Sequence, residues 1–582
     1  MKIAICTTPI RPVPTDYPPF GSMAVIQALR SQGYDPYFYD IDGLRPSFDQ
    51  VVNFFKDQQP DIVGISAVVS TAYAYTKKLA NALKEVVPKV KIIVGGNLAA
   101  SAEILHRLCK VDFCVIGEGE KVIVNLVKYL EECGRSPRSS ELRSIKGITY
   151  LGDGGELVFT GYEDSIPAEE LFDPDFEILE KYSRIENYIK DPLTRDDFAQ
   201  DPRTYEPQRK GKKMATVLSA KGCVARCTFC HRWDRGYRHF PPQKIASRIK
   251  YLVDRYNVGF IQFGDENFGS DRRALEELIG LIKPLDILYE VAGVRCRSVD
   301  LDLLKRLKES GCVALYYGME TGSPKILEVM EKKTSLDQNI NAARWTHEAG
   351  LHTIYQLVLG MPGETRQTIS ETIEFLKSVT EFLPKPPNRY LSINYIQALP
   401  GTPVYEYARA KGLIGSRLED EEKYLLSISD INAADDTKFL NFTEYDYFTV
   451  QSWRRRIGFE TMAHYLRRWK VKKFNERRLS RDRNDYTRGG YFNLTRRHWF
   501  DPYYVSLYPL RTILIWLSLL KSEFHRLPRR EFVGRLWEFL RVRLRPLKKG
   551  IPNKSLRTVV KEISSVITSV SERSMMPLRE GR

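Results

Sequence analysis

A chain of 582 residues with 43% hydrophobic content is too long for one core and calls for about three or four domains. Its net charge of +16 is uneven: Gln451 to Arg582 carries 32 Lys+Arg against 11 Asp+Glu, or +21, which leaves −5 on residues 1–450. Six of the nine cysteines (Cys6, Cys109, Cys114, Cys133, Cys296 and Cys312) are scattered, most beside apolar runs. This argues against a disulfide-stapled secreted scaffold and predicts reduced core thiols in a cytoplasmic protein. Met1-Lys-Ile-Ala-Ile-Cys6 opens directly as a strand, without the succession of a signal peptide, so export is not expected.

Across residues 1–134, strands are predicted at 2–6, 36–41, 61–69, 91–94 and 113–116, and helices at 23–31, 48–56, 72–86, 103–108 and 121–132. Five alternating units imply an α/β, doubly wound, Rossmann-like parallel sheet, whose ligands sit beyond the strands' carboxyl ends. Ser66, Gly95-Gly96-Asn97 and Gly117-Glu-Gly-Glu120 stand there, with 28 residues between Ser66 and Gly95. This arrangement resembles a cobalamin-binding domain, in which a small-residue strand end and a Gly-Gly turn admit a flat corrin and its nucleotide tail. The resemblance assigns Ser66, Gly95 and Gly96 to cobalamin. The family's Asp-x-His-x-x-Gly loop, source of a lower axial His, has no counterpart after the first strand, where Pro18-Pro19-Phe20-Gly21-Ser22-Met23 stands instead. A scaffold or substrate lid without corrin is the alternative. His106 is expected on a helix surface rather than at cobalt. Residues 135–213 read as a small hairpin (147–151 and 157–160) followed by a linker.

From residue 214 to about 415, strands are predicted at 215–219, 260–264, 289–293, 313–318, 353–359 and 390–397, with helices at 243–256, 274–281, 301–309, 340–348 and 367–379. Six such units suit a partial (β/α)6 TIM-type barrel with its site at the strand carboxyl ends. The loop after its first strand reads Lys221-Gly-Cys-Val-Ala-Arg-Cys-Thr-Phe-Cys230. Three thiols so close suit three corners of an iron–sulfur cluster, leaving one iron open to bind a substrate. A zinc knuckle or buried thiols is the bland alternative, but zinc sites usually take four ligands in paired sets and no second pair lies nearby.

The CxxxCxxC spacing with an aromatic before the last Cys resembles the signature of radical S-adenosylmethionine (SAM) enzymes. It implies a 4Fe-4S cluster on Cys223, Cys227 and Cys230. The other strand ends resemble that family in order. Gly264-Asp-Glu-Asn-Phe268 is similar to the segment that contacts the methionine amino group, through Asp265, Glu266 and Asn267. Arg295 has the planar fork that suits the SAM carboxylate. Glu320, in Gly318-Met-Glu-Thr-Gly-Ser323, falls near the ribose or amino acid part. Gly360 and Gly363, in Gly360-Met-Pro-Gly-Glu-Thr365, let the backbone approach adenine, although Gln356 replaces a glycine often found earlier. Leu399-Pro-Gly-Thr-Pro403 ends the sixth strand as in relatives with a cobalamin-type domain.

The resemblance implies reductive cleavage of SAM to a 5′-deoxyadenosyl radical, fed by a reductant such as flavodoxin or ferredoxin. With cobalamin, it implies methyl transfer to an unactivated carbon or phosphorus of a small or lipid-like substrate. Cyclisation or another redox reaction, as in the oxygen-independent porphyrin cyclases, and a non-catalytic cluster protein are the alternatives. No strand-end residue separates methyl transfer from cyclisation, and none is assigned a catalytic role of its own.

Residues 416–582 read as a mainly helical basic region. Phe459, Met462, Leu466 and Trp469 recur at helical spacing, and Phe532, Val533, Leu536, Trp537, Leu540 and Leu544 form a second stripe opposed by Arg530, Arg541 and Arg545. Such stripes suit either a helical cap packed on the barrel or peripheral contact with an anionic membrane face. The apolar run 513–520 is too short to span a bilayer, which needs about 20 residues. Nucleic acid ranks last, since no binding motif accompanies the charge.

Overall fold

The computed structural model describes residues 1–133, 138–231, 236–429, 438–468 and 508–544. Its first sheet holds β1 (Ile3–Thr7), β2 (Tyr37–Tyr39), β3 (Ile62–Ser66), β4 (Lys91–Gly95), β5 (Phe113–Val115), β6 (Ile148–Leu151) and β7 (Leu157–Phe159), in the order β2-β1-β3-β4-β5-β6-β7. β1 to β5 are parallel, and their near-continuous apolar runs are those of strands covered on both faces. The order in which strands are added reverses between β1 and β3, where Thr7 pairs with Ser66 and Ser66 with Gly95. That reversal opens a crevice at the carboxyl edge, the usual ligand position of an open α/β sheet. The expected hairpin is not set apart from this sheet: β6 adds antiparallel to β5, and β7 to β6.

The second sheet holds β8 (Lys213–Val217), β11 (Val258–Phe263), β12 (Leu288–Val294), β13 (Cys312–Glu320), β14 (His352–Leu359) and β15 (Leu391–Tyr395), all parallel, in the order β15-β14-β13-β12-β11-β8. Between β8 and β11, a two-stranded antiparallel ribbon of β9 (Ala220–Gly222) and β10 (Tyr237–His239) brackets the cysteine loop. Local chemistry fixes where the crossover helices begin. Ser335 with Gln338 and Thr365 with Thr368 form capping boxes, and the Asp271 and Asp300 carboxylates cap two more.

The stretch read as a linker is also structural. Its short helix Asp196–Gln200 sends Phe198 against Met214, Phe260, Leu288 and Val313 at the amino ends of the barrel strands. The helix thereby stoppers the end of the barrel opposite the site. Beyond the barrel, the helix Tyr447–Arg468 buries Trp453, Phe459, Met462 and Leu466, while Trp469 and Arg545 lie outside the described residues.

His106 corrects its expected position. It is 5% exposed, with its ring nitrogens at Val111 O (2.8 Å) and Thr149 Oγ1 (2.9 Å). Burial lowers its pKa and keeps the ring neutral. Strand β6 supplies the hydroxyl, a partner that helix periodicity alone does not reveal.

Candidate functional site

The carboxyl ends of the two sheets face one cavity of about 630 Å³. The first sheet contributes Thr7, Ser66, Gly95, Gly96 and Gly117, and the second domain contributes Lys221, Gly222, Gly264 and Glu266. Gly96 adopts φ +86°, and a Cβ there would meet Ala67 O at 2.5 Å, so the turn requires glycine. A Cβ on Gly95 would meet nothing within 4 Å; that face of the turn is open space. The buried Ser22 hydroxyl on the cavity wall has no protein partner. An open glycine turn and an orphaned hydroxyl fit a flat, polar-edged group lying on this edge. In the loop after β1, Tyr17 reaches across and donates its hydroxyl to Gly264 O.

The cysteine loop leaves β9 with its start held by Asp265. That carboxylate accepts from Ser219 N (2.8 Å), Ser219 Oγ (2.8 Å) and Ala220 N (2.7 Å). Desolvation raises its pKa to about 6 against these hydrogen bonds. Both Asp265 oxygens are thus engaged in positioning the loop, which leaves Glu266 as the acid of this segment on the cavity wall. Thr228 is pinned from two sides, through Met330 O (3.0 Å) and Val404 N (3.0 Å).

Cys227 and Cys230 are hydrogen-bonded thiols. This bond lowers Cys227, with help from nearby Lys332, and raises Cys230. Cys223 stands on the same loop, its sulfur accepting from Ala225 N at 3.4 Å. Among the described residues no three ligand side chains are gathered at metal-binding spacing, so the loop brings two of the cysteines together and keeps the third near. Three soft sulfurs with one already biased to thiolate fit an iron–sulfur cluster.

Of the other predicted residues, Glu320 and Arg295 act on the Cys227 sulfur through their charge. Asn267 is fully buried, its Oδ1 accepting from Ser270 Oγ (2.9 Å) and its Nδ2 without a protein partner. Arg295 follows β12, donates Nη2 to Lys332 O (2.7 Å) and keeps an unpartnered buried Nε. Glu320 closes β13 in the left-handed region, φ +63°, and pairs with Lys332. Gly318 makes room for that pair: a Cβ there would meet Glu320 Oε1 at 2.6 Å and Lys332 Nζ at 2.9 Å. Gly360 and Gly363 have φ of +86° and +81°, and Glu364 accepts from the amides of Gly360 and Met361. Desolvation raises Glu364 to about 8.

Lys332 is the functional residue that motif reading missed. Its ammonium faces Glu320, Cys227 and Cys230, which keep it charged against desolvation. The only sequence signal was Glu331-Lys332-Lys333 just after Met330, and in one sequence such a run reads as a solvated turn.

The family comparisons match this geometry domain by domain. Residues 217–376 match the Radical SAM superfamily and residues 7–127 the B12 binding domain. The chain carries a radical SAM domain and a B12-binding domain. The cofactors of this pairing are a 4Fe-4S cluster, SAM and cobalamin.

Among curated proteins, an anaerobic magnesium-protoporphyrin IX monomethyl ester cyclase of Cereibacter sphaeroides is 30% identical over 370 residues, 61% of this chain and 56% of that one. The match therefore spans little more than half of that relative. An uncharacterized methyltransferase of Pyrococcus horikoshii is 28% identical, over 71% of this chain and 84% of its own. Two solved structures share the fold of this B12-binding and radical SAM pair at 16% identity. OxsB, with aqua-cobalamin and SAM bound, has a TM-score of 0.58 and covers 98% of this chain and 80% of its own. TsrM from Kitasatospora setae, with cobalamin and a [4Fe-4S] cluster bound, has a TM-score of 0.53 and covers 72% and 76%.

Proposed function

We propose that this protein is a cobalamin-dependent radical SAM methyltransferase acting on an unactivated carbon or phosphorus of a small or lipid-like substrate. The observation that carries this reading is the shared cavity, which sets the Gly95-Gly96 turn opposite Lys221, Gly222 and Glu266 of the cysteine domain. A cluster held by Cys223, Cys227 and Cys230 would supply the electron for reductive cleavage of SAM to methionine and a 5′-deoxyadenosyl radical, and a corrin on the Gly95-Gly96 edge would supply the transferable methyl group.

The chain's own residues do the positioning. We assign residues 1–134 to corrin binding, through Ser66, Gly95 and Gly96, and 214–415 to radical generation. Residues 135–213 add β6 and β7 to the first sheet and lead on to the barrel, and 416–582 make up the basic C-terminal region. Cys223, Cys227 and Cys230 hold the cluster. Glu266, Asn267, Arg295, Glu320, Gly360 and Gly363 receive SAM, and Asp265 acts one step back by fixing the cysteine loop. Closure of the cavity by Tyr17 against Gly264 limits water at the radical site. A flavodoxin or ferredoxin supplies electrons, and the basic helices make peripheral contact with an anionic membrane.

Anaerobic protein loaded with iron, sulfide and cobalamin should convert SAM to both 5′-deoxyadenosine and S-adenosylhomocysteine. Methyl-deuterated SAM should then label the substrate. The 30% identity to a porphyrin cyclase favours a second reading, ring closure or oxidation. That reading yields 5′-deoxyadenosine with no label in the product.

A further inference from the structure

The last two described helices, Tyr508–Arg526 and Arg529–Leu544, form a hairpin around Pro528 against the helix Tyr447–Arg468. The inner side of this layer is well packed. Ile515 and Leu519 are buried, Glu523 is fully buried beside Gln451, and the Phe448 ring meets both Phe532 and Phe539. The hairpin therefore packs on this helix rather than directly on the barrel, as the stripe had suggested, and its inner side uses only part of the apolar residues.

The other half faces outward. Leu510, Ile513, Leu517 and Phe524 recur at three-, four- and seven-residue steps on the first helix, with Leu517 58% exposed. Val533, Trp537 and Leu540 recur at steps of four and three on the second, with Trp537 66% exposed. Such spacing puts each set on one helix face. Because the inward faces of both helices rest on the same supporting layer, both exposed faces belong to the outer side of the hairpin. Exposed Lys521, Arg529, Arg530 and Arg541 border these stripes, whereas Glu531 and Glu538 lie round the helix from Trp537. No helix among the described residues is long and apolar enough to cross a membrane.

We infer that the outer face of this hairpin is the docking surface for an anionic phospholipid bilayer, which seats Trp537 and Leu517 in the headgroup boundary. Cationic flanks around an exposed Trp-bearing apolar ridge complement that surface in both charge and polarity. The +21 charge of residues 451–582 adds long-range attraction that fades with salt. The inference rests on the membrane contact proposed above and names the face that makes it.

The test is co-sedimentation of the cluster-loaded full chain with vesicles of equal parts phosphatidylcholine and phosphatidylglycerol. The wild type should bind, be partly released by salt, and bind pure phosphatidylcholine at least tenfold less. Trp537→Glu and Leu517→Glu alter side chains more than half exposed, so fold and iron content should hold while vesicle partitioning falls at least tenfold. If the wild type binds and both variants bind equally, this face is wrong although the membrane contact stands. If the wild type does not bind, the contact and the face both fail. Failure to bind together with a dimer that Trp537→Glu dissociates would assign the face to a second copy of the chain.

Discussion

Lys221 Nζ lies 2.7 Å from Glu120 Oε1, which ties the residue two positions before Cys223 to the first turn of the helix Gly119–Glu132 that follows β5 of the other sheet. Beside it, Glu118 pairs with Arg238 on β10, the other arm of the cysteine ribbon, and accepts from Ile166 N at 3.0 Å. The B12-binding domain thus grips the cysteine loop by both arms. These partners hold the Glu118 carboxyl below its usual range against desolvation.

Glu118→Gln and Glu120→Gln together remove these two carboxylates from the partly buried Lys221 and Arg238. Breaking a buried pair from one side costs about 3 kcal/mol, at the low end of the usual range because Lys221 is a quarter exposed. The double variant should lose thermal stability and hold less iron after anaerobic reconstitution. Unchanged iron and an unchanged thermal midpoint would show that the clamp carries no load.

The Gly95-Gly96 turn separates ligand space from backbone strain. Gly95→Val projects into open cavity, so fold and iron content should persist while corrinoid binding drops about tenfold or more. Gly96→Ala forces a side chain against Ala67 O at positive φ and should destabilise the domain by about 1–3 kcal/mol. Corrinoid per chain and thermal midpoints read the two effects. Full corrinoid loading in Gly95→Val would remove the corrin from this edge.

Both parallel sheets were legible because parallel strands are apolar runs and each crossover helix has a 3.6-residue period. The Cys223, Cys227 and Cys230 loop was legible because spacing within one loop is a local property. Contacts between distant segments were not. Phe198 is one of two aromatics in the charged stretch 190–213, and nothing local says that it stoppers the barrel. Asp265 reads as an acceptor for SAM in the sequence, and only the fold shows that its oxygens also hold Ser219 and Ala220. Lys332 acquires meaning only from Glu320 and the thiols brought to it by the fold. The stripe 532–544 was visible, but its division into a packed and an exposed half depends on Phe448, a residue of another helix.

The Glu320–Lys332 pair is testable by a double-mutant cycle. Lys332→Met alone should cost about 3 kcal/mol, since it strands a buried carboxylate, and Glu320→Gln alone should cost a similar amount. The double variant should cost clearly less than the sum of the two, because neither charge is then left alone. If Lys332 also serves SAM, every variant lacking it should bind SAM about tenfold more weakly at equal iron content, and Lys332→Arg should recover much of that loss. Additive stability losses would mean that the two charges act separately, and unchanged SAM affinity would confine Lys332 to holding Glu320.

Glu364 gives the site a pH signature. Desolvation raises its carboxyl from 4.5 to about 8, against the Gly360 and Met361 amides that favour the charged form. A folded pKa above the unfolded one means that the folded chain holds an extra proton between the two values. The stabilisation is therefore complete below about pH 4.5 and is lost as pH rises through 8, at up to about 1.4 kcal/mol per unit. Glu364→Gln keeps a neutral acceptor for the same amides and cannot ionise. The wild type should lose thermal midpoint between pH 6 and pH 9 faster than the variant, so the gap in favour of Gln widens with pH. Parallel profiles would mean that Glu364 is already ionised when folded, and that the Gly360 and Met361 amides outweigh its desolvation.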